Sequence, residues 1–99
     1  MTNIDITTSA LRQQKRLRLN YGGYRRTVEV HSIGTSKEGK IMIRVWQTDG
    51  DSQSKQSIGW KLFDLGEASE VAIVDEASEA PRAGYKRGDR AMAEIVAEL

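Results

Sequence analysis

Residues 34–40, Gly-Thr-Ser-Lys-Glu-Gly-Lys, have the glycine and lysine spacing of a phosphate-binding P-loop. A P-loop continues with a Ser or Thr that reaches magnesium, and it leads into a helix whose N-terminus holds the phosphates. Ile41 stands at that position instead, and the residues after it alternate as in a strand. We therefore interpret residues 34–40 as a glycine-bounded hairpin loop and exclude a P-loop nucleotide hydrolase.

Other candidates for catalysis or metal binding are few. His31 is the only histidine and there is no cysteine, so neither a histidine cluster nor a thiolate site for a metal is expected. A Ser-His-Asp triad would need Ser52 or Ser54 as its nucleophile, and neither lies in a nucleophile-elbow pattern. Asp49 and Asp51 flank a glycine, but the distal Glu of an EF-hand loop is missing. We predict no catalytic residue, no metal and no cofactor, and we interpret His31 as either a strand-end residue or a ligand contact.

Charged residues are distributed unevenly along the chain. The net charge is +1, yet residues 1–44 contain nine Lys and Arg against three Asp and Glu, and residues 45–99 contain six against eleven. Either the two halves attract each other across a well-solvated surface, or a basic face attracts an anionic partner.

The composition is that of one globular domain, residues 1–99, with 38% hydrophobic and 29% charged residues. No apolar run approaches the roughly 18–20 residues of a membrane span. The first residues also lack the basic start and apolar stretch of a signal peptide. We expect a cytoplasmic protein with no membrane partner.

The elements that would position these residues begin with a hairpin. Residues 16–21 alternate polar and apolar, Gly22-Gly23 can adopt the positive φ angles of a type I′ turn, and residues 24–30 follow as a second strand. The predicted cross-strand pairs are Tyr21 with Tyr24, Leu19 with Arg26, and Leu17 with Val28. This register places Arg26 on the apolar face. It either turns or snorkels outward to solvent, or it lies in a pocket for a phosphate or carboxylate.

Alternation predicts three more strands. They are residues 40–46, 57–63 and 70–74, and the polar stretch 47–54 connects the first to the second. Trp46 falls on the face opposite Ile43 and Val45, where it either covers a helix or stacks on a ligand ring. Trp60 belongs to an apolar set with Ile58 and Leu62, and we expect it in the core.

A short helix is predicted at each end of the chain. Residues 7–9 offer N-cap hydroxyls before a run of helix formers at residues 10–15. Asp89 is expected to cap a second helix whose apolar positions are Met92, Ile95, Val96 and Leu99. The predicted fold is mainly β (α+β), a small five-stranded antiparallel SH3-like or Sm-like barrel with an N-terminal and a C-terminal helix.

The order of several motifs resembles the WYL domain family, small Sm-like domains of bacteria and their phages, from about residue 10 to residue 85. The motifs are Leu-Arg-Leu-Asn-Tyr-Gly-Gly at 17–23, Arg-Thr-Val-Glu-Val-His at 26–31 and Gly-Trp-Lys-Leu-Phe-Asp-Leu at 59–65. The chain is also similar to single-domain proteins with a pattern that here reads Gln47, Gly50, Ser52, Ser54, Gly59, Trp60, Lys61, Pro81, Arg82, Gly84 and Tyr85. The Trp-Tyr-Leu tripeptide of the family is replaced by Ile-Met-Ile at 41–43, and no helix-turn-helix precedes the resemblance. The resemblance therefore implies a stand-alone domain rather than a transcription factor.

The family resemblance implies a module that senses a ligand, often a nucleotide or nucleic acid, through basic and polar side chains. Carried over position by position, the ligand-binding residues are Arg26, His31, Gln47, Ser52, Ser54, Lys61, Arg82 and Tyr85. We expect a non-catalytic binding domain for a small anionic, nucleotide-type ligand, acting as a sensor, an adaptor or a sponge that sequesters a signal.

Two alternatives stay open. Nucleic-acid binding would use the basic residues of the first helix and hairpin, namely Arg12, Lys15, Arg16, Arg18 and Arg25. An inhibitor or adaptor of a larger protein is the other alternative, and a homo-oligomer is compatible with each of these functions.

Overall fold

A computed structural model describes residues 1–50 and 57–99 of the chain. The described residues form one helix and a six-stranded antiparallel sheet. In chain order the elements are α1 (Asn3–Gln13), β1 (Lys15–Tyr21), β2 (Tyr24–Thr35), β3 (Ile41–Gly50), β4 (Gly59–Asp64), β5 (Ser69–Ala77) and β6 (Glu94–Glu98), with a 3-10 turn (Leu65–Glu67) between β4 and β5. No helix in this part of the chain has the length and apolar character needed to cross a bilayer.

The predicted hairpin is confirmed in its turn and its register. Gly22 and Gly23 have φ angles of 59° and 83°, as a type I′ turn requires. The pairs Tyr21–Tyr24, Leu19–Arg26 and Leu17–Val28 all form. The turn at residues 36–39 joins β2 to β3, as we predicted in place of a P-loop, although residues 34–35 of the predicted loop belong to β2.

The long strand β2 organises the sheet. Its first part pairs with β1 and its last part with β6 on one edge, while β3 follows its other edge. The strand order is β4-β3-β2-β1-β5, with β6 attached beside β2. Helix α1 packs on β1, β2 and β5 and closes a core on the inner face of the sheet. The buried apolar side chains there are Ala10, Leu11, Leu17, Leu19, Val28, Val30, Ile33, Ile43, Val45, Phe63 and Leu65.

The sheet is open rather than a barrel closed by hydrogen bonds. Within the described residues β4 and β5 are the two ends of the strand order, and no pairing joins them. Side chains nevertheless bring β1 and β4 together, because the rings of Tyr21 and Phe63 stack with centroids 4.1 Å apart. The Tyr21 hydroxyl also accepts a hydrogen bond from the Asp64 amide at 3.1 Å. Since β2 and β3 lie between them in the strand order, the sheet must curl strongly to allow these contacts.

The N-terminal helix differs from its predicted bounds. The Thr2 hydroxyl accepts the Asp5 amide and the Asp5 carboxylate accepts the Thr2 amide, so a capping box starts the helix well before residue 10. Residues 7–9, predicted to lie before the helix as its cap, are inside it, and Thr7 faces the core. The helix ends where Gln14 adopts a left-handed conformation, and Lys15 begins β1.

The predicted C-terminal helix is wrong. Residues 94–98 form β6 and pair with residues 32–35 of β2. The end of β2 extends beyond β1 and presents unpaired backbone groups, and pairing with these groups outweighs the helical spacing of the apolar residues. Asp89, the expected N-cap, instead accepts hydrogen bonds from the Arg44 side chain and the Ala91 amide.

The predicted inner face of β4 is also wrong. Trp60 pairs with Trp46 and Phe63 with Ile43, so Phe63 enters the core and Trp60 points to the outer face. Leu62 is exposed by 37% of its surface for the same reason. A one-residue change of register exchanges the two faces of a strand, and the short apolar run fits either register.

Candidate functional site

The structure divides the predicted ligand-binding residues among separate places. Arg26 and Gln47 lie together in the interior, while His31, Arg82 and Tyr85 meet on the outer face. Lys61 lies on β4 opposite Val45. Ser52 and Ser54 lie outside the described residues. The eight side chains therefore do not form one described pocket.

Arg26 is buried at one end of the core, with 5% of its surface exposed. Its Nε donates to the Tyr21 carbonyl at 3.1 Å, and Nη1 donates to Gln47 Oε1 at 3.4 Å. The rings of Tyr21, Tyr24 and Phe63 lie 5.1–5.7 Å from its guanidinium carbon. Burial lowers the pKa of Arg26, and no carboxylate in residues 1–50 or 57–99 forms an ion pair with it. The guanidinium is thus held inside by aromatic faces and carbonyl groups.

Glu29 is the centre of a buried ionic network on the outer face. Its carboxylate accepts hydrogen bonds from Arg82 Nε at 2.6 Å, the Glu79 amide at 2.7 Å and Arg16 Nε at 3.1 Å. Burial opposes ionisation, but these hydrogen bonds outweigh it and lower the pKa of Glu29. Arg82 is therefore bound to its own chain, and its guanidinium also lies 5.5 Å from the Trp46 ring. The prediction that Trp46 covers a helix is therefore wrong, because α1 packs on the opposite face of the sheet, with Ile43 and Val45.

His31 is fully buried and both ring nitrogens are engaged. Nε2 accepts a hydrogen bond from the Arg82 amide at 2.9 Å. Nδ1 lies 3.0 Å from the Glu29 carbonyl oxygen, so the proton of the neutral ring must be on Nδ1. Burial is the main cause that lowers the pKa of His31. The edge of the ring contacts Trp60, with centroids 4.6 Å apart.

Internal ion pairs join many of the basic residues of the first half of the chain to acidic residues of the second half. Basic residues of the first half meet acidic residues of the second half, as the first of our two interpretations has it. The pairs are Lys15–Asp75 at 2.9 Å, Arg16–Glu76 at 3.2 Å, Arg25–Glu70 at 3.9 Å and Arg44–Asp89 at 2.6 Å. Among the residues considered for nucleic acid, Lys15, Arg16 and Arg25 thus form ion pairs, and Arg12, Arg18 and Arg25 are exposed.

A groove of about 500 Å³ lies on the outer face, where residues 84–90 cross β3 and β4. Two aromatic rings form one wall, Trp60 and Tyr85, with centroids 6.4 Å apart and planes 28° apart. The Trp60 indole N–H donates to the Ala83 carbonyl at 3.3 Å and fixes the ring against the chain. Gly84 has a φ of 92°, and a Cβ there would lie 3.3 Å from Trp60 Nε1.

The rest of the groove is basic. Its charged residues are Arg44, Lys86, Arg87, Arg90 and Asp89. Arg44 donates two hydrogen bonds to the Asp89 carboxylate, from Nε to Oδ2 at 2.6 Å and from Nη2 to Oδ1 at 3.1 Å. These hydrogen bonds lower the pKa of Asp89. Arg87 pairs with Glu98 at 3.1 Å, while Lys86 and Arg90 are exposed and form no ion pair within the described residues. The groove therefore has a surplus of positive charge beside two rings, an arrangement suited to an anion that has a planar group.

Sequence reasoning found only Tyr85, of the groove residues, as a ligand contact. The cluster Tyr-Lys-Arg-Gly-Asp-Arg at residues 85–90 combines an aromatic residue with three bases, which was a usable signal. The predicted helix that starts at Asp89 divides this cluster, so the sequence analysis does not predict it as a site. In residues 1–50 and 57–99, no three side chains of the metal-binding types cluster closely enough to hold a metal ion.

Comparison with protein family models, with curated proteins and with solved structures finds no match to this chain.

Proposed function

We propose that this chain is a non-catalytic binding domain for a small anionic, nucleotide-type ligand, which occupies the groove on the outer face. The observation that carries the proposal is the presence of two aromatic rings and four basic side chains in a single groove. Its volume of about 500 Å³ is within the range of small-molecule sites. The biological role would be that of a sensor, an adaptor or a sponge.

The charges define what the groove can bind. Asp89 neutralises Arg44 but uses only two of the five N–H groups of its guanidinium, so others remain for a ligand. Lys86 and Arg90 are not neutralised by a carboxylate of the described residues. A ligand with about two negative charges, such as a phosphate monoester, matches these two cations.

The rings supply the second part of the recognition. Tyr85 is anchored through its hydroxyl, which donates to the Leu99 carbonyl at 3.3 Å, and Trp60 is anchored through its indole N–H. Rings fixed in this way can stack on a base without a large loss of side-chain entropy, and such stacking contributes about 1–3 kcal/mol per base. The resemblance to the WYL domain family supports the same class of ligand, although the groove uses residues 84–90 instead of most of the eight positions that the resemblance implies.

Isothermal titration calorimetry against mono-, di- and cyclic nucleotides tests the proposal. We expect binding at pH 7.5, and about tenfold weaker binding by Arg90→Ala, because the loss of one exposed charge-assisted contact costs about 1.4 kcal/mol. Arg12→Ala removes the same charge from α1, outside the groove, and is expected to bind like the parent protein. No heat with any nucleotide at high micromolar concentration, or equal losses in both variants, would reject the groove as the site.

Nucleic-acid binding is supported by one observation. Arg18 and Arg25 line a second depression of about 380 Å³, beside Glu70. Binding there would weaken steeply with salt, since condensed counterions are released. An oligonucleotide affinity that does not change in Arg18→Glu would exclude this alternative.

A further inference from the structure

Residues 78–93, here called the covering segment, cross the outer face without a helix or strand of their own. They contribute Tyr85 and all the basic residues of the groove except Arg44. Five hydrogen bonds to residues outside the segment fix its first part. They join the Ser78 amide to the Gln14 carbonyl, the Glu79 amide and the Arg82 side chain to Glu29, the Arg82 amide to His31 and Trp60 to the Ala83 carbonyl. Because the segment has no strand ladder or helix of its own, it opens at a lower cost than the sheet beneath it.

One of these contacts depends on the protonation state of a side chain. The Arg82 amide can donate to His31 Nε2 only while that nitrogen has a lone pair. In the imidazolium form both nitrogens are N–H groups, and the Nε2 proton would face the Arg82 amide proton. His31 is fully buried in this state, so no solvent can separate the two donors.

We propose that His31 is a proton-sensitive switch that holds the covering segment closed through the Arg82 amide when neutral and releases that amide when protonated. The groove is complete only in the closed state, because Tyr85 and Lys86 follow Arg82 within a few residues. Release of a ligand on acidification is the part of the inference that rests on the proposed function. The movement of the segment does not depend on a ligand.

The groups around His31 determine the direction of the effect. On its own strand, Glu29 favours the imidazolium, and from the covering segment Arg82 opposes it. Tyr85 of the segment and Trp60 of β4 contribute uncharged rings. Past the end of β6, the Leu99 amide donates to the His31 carbonyl, and the Leu99 carbonyl oxygen accepts a hydrogen bond from the Tyr85 hydroxyl.

Burial outweighs the attraction of Glu29, so the pKa of His31 is lowered in the closed state from its ordinary value of 6.5. The open state, in which the ring is hydrated, then binds the proton more tightly. Below about pH 6.5 the ratio of open to closed segment rises up to tenfold for each pH unit, until the closed-state pKa is reached. Above about pH 6.5 the ring is neutral in both states, and the closed state is favoured to its full extent.

NMR of the ligand-free protein tests the switch directly, because the only histidine of the sequence gives unambiguous imidazole signals. We expect the proton on Nδ1 at pH 7, a titration midpoint below 6.5, and backbone signals of Arg82 and Tyr85 that change with the same midpoint. Exchange of the Arg82 amide, corrected for its intrinsic pH dependence, should accelerate up to tenfold per pH unit. A proton on Nε2, or an Arg82 amide that does not respond while His31 titrates, would overturn the inference.

The variant His31→Gln supplies the control. Its amide does not titrate and can both accept and donate, so the covering segment should show no transition between pH 7 and pH 5. If this variant does not fold, the titration of the parent protein decides alone. Nucleotide binding measured at pH 7.5 addresses the proposed function separately, since a failure there leaves the ligand-free titration unaffected.

Discussion

The substitution Glu29→Gln tests whether the buried ionic network stabilises the outer face. A glutamine keeps the shape but has one acceptor oxygen, and its NH₂ group would face a donor from Arg16, Arg82 or the Glu79 amide. Breaking a buried ion pair costs about 3–5 kcal/mol. The side chains of Arg16 and Arg82 keep 21% and 26% of their exposure, so water partly solvates their freed charges. We therefore expect a loss of about 2–3 kcal/mol in the free energy of unfolding.

Thermal and urea denaturation followed by circular dichroism measure this loss. For a domain of this size it corresponds to a fall of roughly 10–20 °C in Tm. The matched control is Glu76→Gln, which removes a carboxylate bound to the same Arg16 but exposed by 60%. That surface pair should contribute about 0.5 kcal/mol or less.

The pH dependence of Glu29→Gln follows from the lowered pKa of Glu29. In the unfolded chain the carboxyl has its ordinary pKa of 4.5, and in the folded protein it is lower. The stability from the ionised group is therefore complete above about pH 4.5 and is lost as the pH falls through the folded-state pKa. The difference between parent and variant should stay constant from pH 8 to pH 7, where His31 is neutral in both, and should shrink below pH 4.5. A loss under about 1 kcal/mol at pH 7, or a difference that does not shrink below pH 4.5, would refute the reasoning.

Two further substitutions test local contacts. Gly84→Ala introduces a Cβ at a φ of 92° and 3.3 Å from Trp60 Nε1. We therefore expect the free energy of unfolding to fall by about 1 kcal/mol or more and the tryptophan fluorescence to change. Unchanged values would show that the covering segment is not tightly packed at this residue. Tyr21→Phe removes the acceptor of the Asp64 amide but keeps the ring that stacks on Phe63. Loss of this hydrogen bond costs about 1 kcal/mol, so hydrogen exchange of the Asp64 amide should accelerate about fivefold. Unchanged protection of that amide would contradict the contact between β1 and the end of β4.

Local sequence determined which parts of the fold could be predicted. The Gly22-Gly23 turn fixes its own strands in register, because the dihedral angles of the turn and the pairing are set by neighbouring residues. β6 could not be predicted in this way, since it exists only because the far end of β2 offers unpaired groups to a segment distant in sequence. Which side chains of β4 point inward depends on its register with β3, and the sequence of β4 does not determine that register. The prediction that Trp60 lies in the core is wrong for this reason.

The site was less predictable than the fold for a related reason. His31 and Arg82 were named as candidates, and the structure does bring them together, but as partners in an internal hydrogen bond. A polar residue used for internal structure and one used for a ligand have the same sequence signature, since only burial distinguishes them. The bases at residues 86–90 are exposed, and their relation to Trp60 arises from the path of the covering segment across the sheet.

The attachment of β6 to the end of β2 also has a consequence for the order of folding. β1, β2 and β3 are joined by short turns and can pair early, because little loop entropy is lost. β6 can pair with β2 only after the preceding strands have formed, because it is the last strand of the sequence. The covering segment lies between β5 and β6 and is therefore ordered equally late. We expect the groove to form last in folding and to open first in unfolding, so that the sheet can persist as a stable scaffold in its absence.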